Sequence, residues 1–436
     1  MVASKMPSSS RIRFIGVTVP VIAIALYLIL SALSVHTHGY LDAGRLSHDA
    51  TNYEAMTKQW LSTGVFGYYA LESPETPDAK VGWGYPTFLV PFYYFAGQTD
   101  PMQPGGPYVS IFLGQLVVGA LGLWATWYFA KAAIGVRAAG VAVVVLAITQ
   151  GSSGQAGLLL LHTLSTALFS GFMALWAMSL LKRRAWIAGL AGVAFSASLL
   201  TRPAMLLPGL VIIALGVSSL LRPDWKLRFA ALGGTATLVA PWIVRNWFVL
   251  GRPVFTTGRD DPVLAGVDPW FHMLGPEYRY RGPSYERWIE LKKQGVDLPA
   301  KGEYAWRVVL DGLKHRPVET LTWFTLGKLQ EYLYSAKLAA SSEEAFAAVW
   351  TSIYNSAAVL GACLAPWYRD LRPTVLALAV GVAQMLLVVP ETRYMYDLSP
   401  LMSVCVGALV VAAIEGARAM RPGRQSAPIV QDEIGL

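Results

Sequence analysis

The chain has 436 residues, of which 54% are hydrophobic and only 14% charged. A soluble domain averages about 25% charged residues, so most of this chain faces lipid and an ordinary water-soluble enzyme is excluded. The formal charge of +8 does not mark a nucleic-acid binder, because the basic residues punctuate apolar runs and form no stripe; topology and anionic head groups account for them.

The first apolar run, 14–35, follows Lys5, Arg11 and Arg13. It is longer than the core of a secretory signal and lacks a clear small-residue cleavage site, so it reads as an uncleaved span. A spanning helix needs about 20 mostly apolar residues. About ten runs qualify as candidates: 14–35, 108–130, 137–150, 157–181, 185–201, 203–221, 229–250, 346–366, 373–389 and 398–416. The third is the weakest. At 1.5 Å per residue it either anchors through Arg137 or stops short, leaving a wet recess at Gln150 to Gln155. The Pro-broken aromatic stretch 83–97 is placed at the outer interface.

The loops alternate in charge. Lys5/Arg11/Arg13, Lys131/Arg137, Lys182/Arg183/Arg184, Arg222/Lys226/Arg228, Arg369/Arg372 and Arg418/Arg421/Arg424 fall on one side. By the positive-inside rule that side is cytoplasmic, with both termini inside. Two long segments, 36–107 and 251–345, then lie outside. In the second, Glu303 to His315 reads as an amphipathic helix stopped before Pro317. Val318 to Tyr334 suits a helix lying in the interface. The expected architecture is an all-α polytopic membrane protein, one domain over 1–421 with a disordered cytoplasmic tail at 422–436.

The first outer segment carries LSHDATNYEAMTKQW. Read as a helix, Asp49, Tyr53, Met56 and Trp60 share a face, with Ser47 as N-cap and Asp49 in the first turn, where an ionised carboxylate is favoured. Arg202 in LLTRPAML, Arg245 in PWIVRNWFVLG and Arg393 in VVPETRYMYDLSP lie on the same side. Charges at membrane depth are costly. One carboxylate facing several guanidiniums suits transfer from a lipid-phosphate donor, with Asp49 taking a proton and the cations holding the phosphate as its charge grows. Blander readings stand beside this: interfacial anchors for Arg202 and Arg245, a simple Glu391–Arg393 pair, and a helix cap for Asp49. Tyr53 and Tyr85 could stack on a sugar, with Glu391 nearby. His36, His38 and His48 could join Asp49 on a divalent cation, but their spacing matches no closed zinc pattern, and no metal site is assigned.

The first outer segment, with its D-ATNY-EAMTKQWLSTGVFGYY and WGYPTFLVPFYYFAG stretches, resembles bacterial GT-C glycosyltransferases. It is similar in particular to the branch holding protein O-mannosyltransferases and the aminoarabinose transferase of lipid A. TRPAMLLPGL, APWIVRNWFVLGRPVF and ETRYMYDLSPLM extend the resemblance over about 14–410. It implies a GT-C-like fold, a polyprenyl-phosphate-linked sugar donor, a glycan, lipid or protein acceptor, and inverting transfer outside the inner membrane. It places the catalytic carboxylate at Asp49 and the donor phosphate near Arg245 and Arg393, with Arg202 grouped beside them. Ala50 stands where many relatives carry an acidic residue, and the sizeable C-terminal outer domain of some relatives is absent. Two other classes share the topology. An O-antigen ligase or polymerase would work through 251–345 and survive loss of Asp49. A lipid-linked sugar transporter or flippase would show repeats and midplane charges, and the chain shows neither.

Overall fold

The computed structural model describes residues 9–38, 47–219, 221–258, 260–275, 278, 281–334 and 342–419; the tail at 422–436 lies outside them. Among the described residues the secondary structure is helical, with no strand. In chain order the helices are α1 (Ser9–His38), α2 (His48–Thr63), α3 (Gly84–Phe95), α4 (Tyr108–Ile134), α5 (Val136–Ser152), α6 (His162–Lys182), α7 (Ala185–Thr201), α8 (Leu206–Leu215) and α9 (Trp225–Leu250). The second outer segment supplies α10 (Asp260–Ala265), α11 (Pro283–Lys293), α12 (Lys301–His315), α13 (Pro317–Thr322) and α14 (Lys328–Tyr334). Then come α15 (Ser342–Ala362), α16 (Arg372–Met385) and α17 (Ser399–Ala419).

All of the apolar runs read from the sequence contain a helix, but their lengths differ. Among the described residues five segments are long and apolar enough to cross a bilayer: Val17–Thr37, Tyr108–Ile134, His162–Lys182, Trp225–Leu250 and Arg393–Ala417. The run at 203–221 does not form one long helix. After a single turn at Pro203–Met205, α8 has ten residues and ends at Gly216, whose φ of 88° breaks the helix. The chain then turns back, and Asp370 accepts from the Ser219 backbone N–H at 2.9 Å. Hydropathy alone cannot register that break. The 17 residues of α5 rise about 26 Å, short of a ~30 Å hydrocarbon core. This helix is wrapped by α1, α4 and α17, which explains why apolar side chains line it all round.

Between apolar helices lipid offers no hydrophobic drive, so close backbone approach through small residues takes over. The crossing of α7 and α9 shows this. A Cβ on Gly192 would lie 2.0 Å from the Ala231 carbonyl oxygen, and one on Gly234 would lie 2.0 Å from that of Gly189. Around it a core gathers Phe169, Phe172, Trp176 and Phe195, all fully buried.

The helix α2 is buried over nearly its whole circumference. Its polar side carries Glu54 and Lys58, which pair at 2.6 Å. Lys58 Nζ also donates to the Gln103 and Gly105 carbonyls at 2.7 Å each, so all three ammonium donors are used. Tyr108 donates to the other Glu54 oxygen at 2.7 Å. This pair pins the 98–107 loop onto α2, which is why the polar side of the helix is buried as well.

Two outcomes follow for thermal unfolding in detergent. Gly234→Leu must push α7 and α9 apart, an overpacking cost of about 1–3 kcal/mol, and should lower the midpoint. Lys58→Met leaves Glu54 buried and unpaired, costing about 3–5 kcal/mol, and Glu54→Gln in the same chain should recover much of that loss.

Candidate active site

Ser47 is the N-cap of α2, its Oγ accepting from the Ala50 N–H at 3.2 Å. The cap is therefore taken, and the Asp49 carboxylate is turned to other partners. Asp49 Oδ1 accepts from the Tyr68 hydroxyl at 2.8 Å, and Oδ2 accepts from Arg393 Nη1 at 3.0 Å. The other edge of Arg393, its Nε, meets Glu391 Oε2. The Asp49 and Arg393 side chains stay 37% and 33% exposed, enough to be reached by a ligand. Burial works against ionisation of Asp49, but the Arg393 guanidinium and the Tyr68 hydroxyl outweigh it and hold the carboxyl below its ordinary range. Burial and the Asp49 charge push the Tyr68 hydroxyl up, so it remains a donor.

Tyr394 carries the arrangement onward. The Arg393 guanidinium sits 5.7 Å from its ring centroid and that of Arg202 4.7 Å. Arg202 Nη1 lies 2.7 Å from Asp397 Oδ2 and 2.6 Å from His162 Nδ1. An arginine can only donate, so His162 Nδ1 is the acceptor and the imidazole carries its proton on Nε2. Asp397 is fully buried. The site is thus a row of charges with an acid at each end and two arginines between, Asp49, Arg393, Arg202 and Asp397, threaded past one tyrosine. Gly82 and Gly84 let the first outer segment cross the end of α7 at Leu200 and Thr201, where any Cβ would collide, and Arg202 follows directly.

The remaining residues singled out from the sequence fall in different places. Tyr53 stands edge-on to Tyr68 and Tyr85, with centroids 5.9 and 5.0 Å away. Tyr85 is 1% exposed, and its hydroxyl has no partner among the described residues. Arg245 is not at the Asp49 carboxylate. Its Nη1 donates to the Asp78 carbonyl at 2.8 Å and its Nη2 to the Phe66 carbonyl at 3.1 Å. The Asp78 carboxylate in turn accepts from the Tyr68 N–H at 2.8 Å, so Arg245 fastens the loop that delivers Tyr68. His48 is engaged by Asn52. A divalent cation would have to displace Arg393 from Asp49 or Glu391. Among the described residues no three His, Cys, Asp or Glu side chains stand together to receive one, so the donor set does not fit such an ion.

Sequence reasoning passed over Lys80, Tyr394 and Asp397. Lys80 Nζ donates to the Tyr69 hydroxyl at 2.6 Å and lies 4.4 Å from the Tyr68 ring centroid. It shares Asp261 with Lys301, so two ammonium groups face one carboxylate beside the ring that touches Asp49. Asp397 had a signal: an acid at the outer start of an apolar run requires a cationic partner.

No family model matches the chain, and no curated protein matches it in sequence. Solved structures do match. The oligosaccharyltransferase of Archaeoglobus fulgidus, solved with Zn and sulfate, superposes with a TM-score of 0.52 at 12% identity, covering 92% of this chain and 50% of that one. AglB from the same organism, solved with an inhibitory peptide and a dolichol-phosphate, gives 0.48 at 10% identity, covering 93% and 52%. ArnT from Cupriavidus metallidurans, bound to undecaprenyl phosphate, gives 0.41 at 19% identity, covering 91% and 79%. The chain spans about half the length of the archaeal enzyme. The resemblance drawn from the sequence is borne out at the level of architecture: this is a multi-pass membrane protein with the GT-C fold.

Proposed function

We propose that the chain is a glycosyltransferase that moves a sugar from a polyprenyl-phosphate-linked donor to a hydroxyl on an extracytoplasmic acceptor, with inversion. The observation that carries this reading is the half-exposed Asp49–Arg393 pair, with Lys80 standing over the ring of Tyr68, whose hydroxyl donates to Asp49. The archaeal protein that shares the fold is an oligosaccharyltransferase. The basic clusters support an inner-membrane protein with both termini cytoplasmic and Asp49 outside.

In this reading the donor phosphodiester takes the Arg393 edge that Asp49 holds. A carboxylate gripped by a guanidinium is a weak base, and losing that grip raises its pKa. Donor binding therefore makes Asp49 a competent base at the moment it is needed. The acceptor oxygen attacks the anomeric carbon and its proton passes to Asp49. The bond from that carbon to the phosphate oxygen breaks, and the phosphate leaves with one more negative charge. Arg393 and Lys80 bind that leaving group better than the ground-state diester, which lowers the barrier. Arg202, fixed by Asp397 and His162, holds Tyr394 and through it Arg393. Arg245 would reach a phosphate only by abandoning the Phe66 and Asp78 carbonyls, so its role here is to position Tyr68. Tyr53, Tyr85 and Glu391 bound the space left for the sugar.

Asp49→Asn should lose about 10²–10⁴-fold in rate with its thermal midpoint little changed. The readout is mass spectrometry of glycolipids and surface glycans from cells carrying either form, and full turnover by a folded Asp49→Asn protein would remove Asp49 from the mechanism. The pH profile gives an independent check. With Asp49 held low, kcat/KM should stay flat down to about pH 4. Arg393→Gln removes the guanidinium and leaves burial, which raises the carboxyl, opposed by the Tyr68 hydroxyl and the weaker influence of His48, so the acid limb should move to higher pH. An unmoved limb would detach Asp49 from the rate.

A further inference from the structure

The turn that presents Glu391 and Arg393 has a second group of side chains built against it. The Tyr332 hydroxyl donates to the Val389 carbonyl at 3.0 Å, and a Cβ on Gly266 would lie 2.7 Å from the Val389 Cα. Trp323 Nε1 donates to the Gly266 carbonyl at 3.0 Å. On this frame stand Trp270, His272 and Glu331. His272 Nε2 lies 3.0 Å from Glu331 Oε1, with side chains 25% and 20% exposed. The Trp270 and Trp323 rings meet at 5.2 Å, and the His272 ring is 5.9 Å from that of Trp323.

Three local irregularities converge on the group. Trp270 has φ of 52° and ψ of 29°, a left-handed backbone that a bulky aromatic rarely adopts. Among the described residues Arg183 is the other non-glycine with positive φ. The helix that carries Glu331 is preceded by a π-turn at Trp323–Gly327, a form frequent at functional sites. At Gly327 a Cβ would lie 2.8 Å from the tip of the Trp270 indole, so the absence of a side chain there is what lets the ring lie down on the turn. Strain of this kind persists where the surroundings enforce it, and it gathers at ligand clamps.

We infer that Trp270, His272 and Glu331 form a carbohydrate-binding subsite, which takes an uncharged pyranose of the acceptor glycan beside the Asp49 centre. This rests on the transferase reading and specifies its acceptor as a sugar. An indole offers a flat apolar face to the C–H side of a pyranose, while a carboxylate and an imidazole accept and donate to its hydroxyls. The Glu331 carboxylate has about four acceptor positions, and the His272 contact uses one. The Glu331 carboxylate would repel a phosphate, so the group suits an uncharged ring.

Saturation-transfer NMR on the full chain in detergent tests this, with methyl α-D-mannopyranoside and N-acetyl-D-glucosamine as probes and glycerol as control. At least one glycoside should show ring-proton saturation. Glu331→Gln, which preserves volume, should weaken apparent affinity about 10-fold through a lost charged hydrogen bond. Trp270→Leu and Gly327→Ala should weaken it as well, the latter by lifting the indole, whereas Asp49→Asn should bind as the natural chain does. Equal signals from the natural chain, Glu331→Gln and Trp270→Leu would overturn the subsite, as would no signal for any glycoside. Because this readout is binding, it is separable from turnover. Glycans unchanged by loss of the gene would end the transferase reading and leave a sugar site standing, and transfer without glycoside binding would do the opposite.

Discussion

One ion pair joins the ends of this molecule. Asp49 and Arg393 are 344 residues apart in sequence and 3.0 Å apart in space. One belongs to the first outer helix and the other to the entry of the last apolar helix. Neither charge could rest at this depth alone, since an isolated charge near the bilayer is expensive. The pair therefore makes the closure of the bundle and the assembly of the site a single event. It also leaves the carboxylate held low and reachable, a state that a ligand anion can reverse.

Around that pair the outer segments are fastened by donors that leave little slack. Arg245 spends both guanidinium ends on backbone carbonyls of the 66–78 loop, and Lys58 spends all three donors on α2 and the 98–107 loop. Lys328, fully buried, does the same between outer segment and bundle, donating to the Leu386 and Val388 carbonyls at 2.9 Å each. Burial lowers that lysine to about 7, while the two carbonyls and the Phe324 ring at 4.0 Å favour its charged form. In each case a cation is used as a multi-point tie for main chain, which is why several basic residues on the outer side are unavailable to a substrate.

The helices were legible in the sequence because the apolar runs are long, and the Ser47 cap and the stop before Pro317 were legible because those signals are local. What escaped was non-local or depended on packing. The shortness of α8 turns on one glycine conformation. The burial of the polar side of α2 turns on a loop folding back over Glu54 and Lys58. The site was legible as a set of charges on one side, Asp49, Arg202 and Arg393, but not as a connected row. Tyr394 and Asp397, which connect it, sit in a motif where only the arginine looked unusual. Arg245 stands apart from that row, its donors committed to the Phe66 and Asp78 carbonyls.

Just past Arg245, in the last turn of α9, Trp247 and Phe248 are 60% and 84% exposed, and Phe95 at the end of α3 is 84% exposed. Such bare rings belong where hydrocarbon gives way to head groups. They act as a float line, fixing the depth at which the protein rides. Because Arg245 ties that line to the loop holding Tyr68, the Asp49 carboxylate is moored near the same height. In the proposed transferase, a lipid-linked donor would meet it there with its phosphate among the head groups and its chain still in the bilayer.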